Sequence, residues 1–291
     1  MSDAYGQPYQ QAVSKTETRP RGWLVILDYI FYIALALVLA GFLYYFYIFR
    51  TYAILYSPFL LQAAGVTIVI SLVSMVLATI FGFLGALGRL SRFAIVRSIA
   101  SVYVEVIRGT PILVQLLFWS FGVGTVLSNA GFDPYSIVFQ VLSVFQENSL
   151  VSPQFTFLFY GVIGLSFNYG AYLTEVFRTG IESVNKGQTE AALSLGMDSR
   201  QTMRHIVLPQ AIRITMPPFT NYFITLIQDS ALLSTIGVFE LEQTIGSFAY
   251  PQTDSNVKLF VFVLGALFYF IICYPLSLVA RYLEARMARA Y

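Results

Sequence analysis

Residues Thr179–Arg213 read TGIESVNKGQTEAALSLGMDSRQTMRHIVLPQAIR and stand between two apolar runs. At about 35 residues this is long for a plain connection between packed helices, so it is expected to carry structure of its own. Ala191, Ala192, Leu195 and Gly196 fall at the spacing of one helix face. Gly196 can end that helix, and Asp198 or Ser199 can cap the next. Met203, Ile206 and Val207 then continue an apolar face until Pro209 interrupts it. The segment thus predicts two short helices meeting near a glycine.

On either side the chain is apolar on the scale of a bilayer. Hydrophobic residues make up 57% of the 291 and charged ones 11%, with mean hydropathy +0.70, whereas soluble domains carry roughly a quarter charged residues. A crossing needs about 20 apolar residues, and six stretches qualify: 25–49, 60–88, 110–128, 157–178, 216–238 and 259–281. Ser57-Pro58 suggests that the second begins near Phe59. The sequence therefore predicts an all-α, polytopic membrane helix bundle with six transmembrane helices. Successive intersegments hold 3, 1, 4, 0, 5, 1 and 3 of the 17 basic residues. This alternation places both termini and 179–213 on the cytoplasmic side. The expected organisation is a tail over 1–22, a first helix and outer loop over 23–58, a main transmembrane domain over 59–283 and a tail over 284–291. Lys15, Arg19 and Arg21 resemble a signal-peptide start, but the apolar run that follows is too long for one and reads as a retained span. Within the acidic outer segment 129–156, Ser136–Gln146 suits a short interfacial helix or a poorly packed loop. The other outer segment, 239–258, carries Glu240, Glu242 and Asp254 against Lys258.

Several functions are disfavoured. A net charge of +2 gives no reason to expect a nucleic-acid partner. The single cysteine, Cys273, allows neither an intrachain disulfide nor a multi-cysteine metal site, and the lone His205 adds no metal site. None of the three lysines has the flanking residues of a phosphate-binding Walker loop, so no ATP site of that type is expected in this chain.

The run Gly187–Gly196 with Glu190-Ala191-Ala192, followed by Ile206-Val207-Leu208-Pro209-Gln210-Ala211, resembles the EAA loop of ABC importer permeases in spacing, sidedness and position. Arg108-Gly109-Thr110-Pro111, Gly170-Ala171-Tyr172 with Glu175 and Arg178, and Ile236-Gly237 with Glu240-Leu241 are similar to segments of the polar-amino-acid (histidine/glutamine/arginine-type) members. The likeness runs from about Gln62 to Arg281, and the first helix lies outside it. The resemblance implies a type I importer permease fold in a prokaryotic inner membrane. It also implies a coupling helix carried by Glu190, Ala191, Ala192, Gly196, Leu208 and Pro209. The implied partners are two ATPase subunits that bind the ATP, a second permease subunit, and an extracytoplasmic binding protein that docks on 129–156 and 239–258. The implied substrate is a polar amino acid; no cofactor is implied in this chain and no covalent chemistry.

An ionisable residue at mid-membrane marks function by default. Asp229 is placed about halfway along the fifth span, with Asn221 and Gln228 near its side. These three are candidates for a substrate path; a helix–helix hydrogen bond or an ion pair between subunits is the alternative. Glu175 with Arg178, three residues apart, reads as an anchoring ion pair or a gate. Gly82, Gly85 and Gly88 suggest close helix packing, while the 20 tyrosines and 26 phenylalanines carry no specific signal. An ion-coupled carrier would need more embedded titratable groups than Asp229. A scaffold subunit without a path of its own is the remaining alternative.

Overall fold

The computed structural model describes residues 22–137 and 155–288, all helix and connection with no strand. The chain divides into two units, Met1–Ala53 and Ile54–Tyr291. In the first, α1 (Gly22–Ile48) is about 40 Å long, and its side chains from 26 to 44 are exposed.

Helix α2 (Arg50–Arg89) runs from the end of the first unit through the second. It does not begin near Phe59: Pro58 lies inside it. Proline there removes one hydrogen bond and crowds the preceding turn. The cost is offset by packing on both sides, with Leu60 wholly buried and the Tyr56 ring stacked 4.5 Å from Phe248. Helices α3 (Ala94–Arg108), α4 (Ile112–Leu117) and α5 (Gly124–Asn129) follow, the last two joined by a π turn over Phe118–Val123. Next come α6 (Phe155–Glu182), α7 (Lys186–Ser194), α8 (Ser199–Thr202) and α9 (Leu208–Asp229), with a 3₁₀ turn over Ser230–Ile236. Helices α10 (Leu241–Ala249) and α11 (Ser255–Ala288) complete the chain.

Four described helical stretches are long and apolar enough to cross a membrane, and five if Ser199–Ile236 and α10, bent by 56°, form one broken span. The sequence count of six included α6, which has the length but is more polar. Its Ser166, Asn168 and Thr174 are buried, so the polarity is turned into the bundle. The expected helix over Ser136–Gln146 lies almost wholly outside the described residues.

The core of the second unit joins Ile70, Met75 and Ala78 of α2, Leu116 of α4, Leu165, Tyr169 and Leu173 of α6, Leu226 of α9, and Leu233, Ile236 and Val238 beyond it. Gly85 lets α2 and α6 meet closely: a Cβ there would lie 2.2 Å from the Thr174 hydroxyl.

Candidate functional site

Two regions contain the residues singled out from sequence, and one helical path connects them. In the first, Asn185 caps α7 by accepting from the Gly187 N–H at 2.8 Å. The helix ends in a Schellman motif: Met197 N–H donates to the Ala192 carbonyl at 3.1 Å and Gly196 N–H to Leu193 at 3.0 Å. Gly196 has φ of +86°, which explains the glycine. Asp198 then caps α8 in a reciprocal box with Gln201, at 2.8 and 2.9 Å. The helix does not stop at Pro209. A π turn over Met203–Val207 leads into α9 with Pro209 in its first turn, where a proline's missing donor is least costly.

Glu190 and Ala191 are exposed on α7, whereas Ala192 is buried within the chain itself. Leu195 is 84% exposed at the tip. Leu208 is half-buried and Pro209 exposed. Behind them Val184, Val207 and Ala211 form a small apolar cluster with Ile181 and Ile214. The segment is thus a packed two-helix unit with an exposed edge.

Asp229 is the last residue of α9, where the helix tightens to 3₁₀, rather than halfway along a regular helix. It lines a cavity of about 290 Å³ with Thr110, Pro111, Ile112, Asn168, Tyr169, Tyr172, Tyr222 and Thr225. The Tyr169 hydroxyl donates to Asp229 Oδ2 at 2.6 Å. The Tyr172 and Tyr222 rings lie 5.4 Å apart, and the Arg108 guanidinium sits 5.3 Å from the centre of the Tyr172 ring. The Thr110 wall is fixed from behind. Gln115 Nε2 donates to the Ile107 and Thr110 carbonyls at 2.7 and 3.0 Å, and its Oε1 accepts from Asn168 at 3.1 Å.

Asn221 and Gln228 do not line this cavity. Both are exposed, and Asn221 Nδ2 donates to Glu284 of α11 at 3.3 Å. The sequence had flagged Thr110 and Pro111 only as part of a motif. Tyr172 likewise enters the sequence reading only within the Gly170-Ala171-Tyr172 motif, and Tyr169 and Tyr222 carry no sequence signal because tyrosine is abundant in membrane proteins. The Glu175–Arg178 pair is present, with Nη2 at 2.7 Å, and extends to Glu182 and to Arg89 at the end of α2. Such a cluster, joining two helix ends, fits an anchor.

The sequence groups Glu240 with the acidic residues of the outer segment 239–258 and with the motif Ile236-Gly237, Glu240-Leu241, and neither assigns it a burial. It is wholly buried, capping α10 through the Gln243 N–H at 2.9 Å. A helix start needs acceptors for its free N–H groups, which draws the carboxylate inward.

A family model described as binding-protein-dependent transport system inner membrane component matches residues 78–289. The chain is 36% identical over 243 residues to the probable amino-acid ABC transporter permease protein YckA of Bacillus subtilis, covering 83% of this chain and 95% of that protein. It is 32% identical to the glutamine transport system permease protein GlnP of Escherichia coli, covering 79% and 93%. A solved structure of an amino acid ABC transporter with histidines shares 30% identity and a TM-score of 0.63, covering 81% of this chain and 97% of that one. The inward-facing MetNI methionine transporter shares the fold at 18% identity and a TM-score of 0.55.

Proposed function

The chain belongs to the family of binding-protein-dependent transport system inner membrane components, and from that premise we propose that it carries polar amino acids through the membrane, driven by ATP hydrolysed on partner subunits. The observation that carries this reading is continuity. Helical structure runs from Ser199, next to the exposed α7 edge, to Ile236, past the Asp229 cavity. A push on α7 therefore reaches the cavity through one continuous helical run, about 57 Å long from Ser199 to Ile236.

In this proposal the edge formed by Glu190, Ala191 and Gly196 docks in a cleft on the ATPase, and Ala192, Leu208 and Pro209 set the shape behind it. Two ATPase subunits draw the α7 helices of two permease subunits together and alternate the exposure of the path. The chain spans the inner membrane of a prokaryote with both ends in the cytoplasm. An extracytoplasmic binding protein delivers the substrate to the opposite face. The domain limits 1–22, 23–58, 59–283 and 284–291 keep the transporting unit in the third segment.

Within the cavity, Asp229 takes the ammonium group of the substrate. Thr110, Asn168 and Thr225 offer hydroxyl and amide groups to its other polar atoms, and the tyrosine rings pack along it. About 290 Å³ suits a ligand of amino-acid size. Asn221, Thr225 and Gln228 form a polar stripe on α9 that is exposed in the isolated chain. Polar groups are costly in hydrocarbon, so the stripe faces either the water of the path or the second permease subunit.

The test is reconstitution of the chain with an ABC ATPase and an amino-acid-binding protein. ATP-dependent uptake of a polar amino acid is expected. Uptake that follows an ion gradient with no ATP present would overturn the reading.

A further inference from the structure

Glu240 is the only fully buried charged side chain among the described residues. Its Oε1 accepts from the Gln243 N–H at 2.9 Å. Its Oε2 accepts from the Tyr269 hydroxyl of α11 at 3.0 Å and from the Thr67 hydroxyl of α2 at 3.3 Å. Thr67 Oγ1 in turn accepts from the Leu241 N–H at 3.0 Å. One carboxylate thus ties α2, α10 and α11 together, and all three of its donors are neutral.

Its position in the chain gives this knot a mechanical meaning. The helical run from Ser199 ends at Ile236, and Gly237 turns the chain with φ of +82°. Glu240 follows three residues later. A displacement entering at the α7 edge and passing along α9 therefore arrives at this carboxylate.

We propose that Glu240 is a releasable latch, a positioning residue whose bonds to Tyr269, Thr67 and the Gln243 N–H close the end of the path remote from α7 and whose hydration favours opening once α9 is displaced. A buried carboxylate with only neutral donors is costly compared with water, and an apolar residue of similar size commonly replaces a buried ionic group without loss of stability. Hydrogen bonds are also short-ranged and directional, so a small shift breaks them whole. Once the knot opens, water reaches the carboxylate and favours the open arrangement. Charge burial thus makes the joint two-state, which apolar packing would not.

The latch rests on the reading of an ATP-driven permease, and both are tested in the complete complex with its ATPase and binding protein. Glu240→Met removes the hydration of the open state. It should leave the thermal midpoint equal or higher while lowering uptake roughly tenfold. Tyr269→Phe leaves the charge but removes one donor. It should raise ATP hydrolysis in the absence of substrate about fivefold, with normal assembly. Uptake by Glu240→Met equal to wild type overturns the latch. So does a fall in folded complex that parallels the fall in uptake, or unchanged substrate-free hydrolysis in Tyr269→Phe. A wild-type complex that hydrolyses no ATP overturns the ATP-driven reading itself, which the variants alone cannot do.

Discussion

At Asp229 the neighbours of the carboxylate define what it can bind. Oδ2 is held by the Tyr169 hydroxyl at 2.6 Å, and no arginine or lysine pairs with Asp229 among the described residues. A hydroxyl donor orients the group without neutralising it, so the negative charge remains for a ligand in the cavity. If that ligand contributes an ammonium group, Asp229→Ala should raise the KM for uptake about 10- to 100-fold, the worth of a hydrogen bond to a charged group. The residue is half-buried and lies outside the main apolar core, so the amount of protein in the membrane should stay near wild type. Transport by Asp229→Ala with unchanged KM in vesicles would remove Asp229 from the path.

At the scale of elements, the 179–213 segment depends on one backbone conformation. Gly196 closes α7 at φ +86°, with open space where a Cβ would stand. The demand is therefore conformational and not steric crowding. Gly196→Ala should weaken the folded segment by about 1–2 kcal/mol and reduce substrate-stimulated ATP hydrolysis accordingly. Gly196→Asn should recover most of it, because asparagine tolerates the left-handed region. Equal activity of the alanine and asparagine variants would show that this cap plays no part in coupling. The α2–α6 contact is the opposite case. Gly85→Ala brings a Cβ against Thr174 and should lower stability by roughly 1–3 kcal/mol, with part regained in the double variant Gly85→Ala/Thr174→Ala. Additive losses in a thermal melt would reject a direct clash.

These elements also mark how far the sequence could be read. The α7–α8 pair was legible because glycine and Asp198 are local punctuation with local causes. Pro58 and Pro209 misled, since proline is a breaker only where packing or a wide turn does not absorb it. The cavity was harder. Asp229 stood out as a charge in an apolar run, but Tyr169 and Tyr222 meet only when α6 and α9 pack together. The burial of Glu240 was hidden for the same reason: its partners Thr67 and Tyr269 lie 173 and 29 residues away.

At the scale of the molecule, the residues matched by the family model all lie in the second unit. The family model begins at residue 78, and the YckA-like match takes 83% of this chain while using 95% of that protein. The family model leaves residues 1–77 unmatched, among them α1, whose residues 26–44 are exposed. The shared core and the cavity both draw on residues beyond Ile54, the boundary of the second unit. Helix α1, at residues 22–48, lies outside the family match, and so outside the part of the chain that this family model describes. A chain shortened to begin at Arg50 should accordingly insert, assemble with its ATPase and melt within a few degrees of the full chain, the shift expected for a change of less than about 1 kcal/mol. Uptake should persist at a comparable rate per assembled complex. Loss of assembly, or a fall in uptake per complex, would show that α1 belongs to the transporting unit.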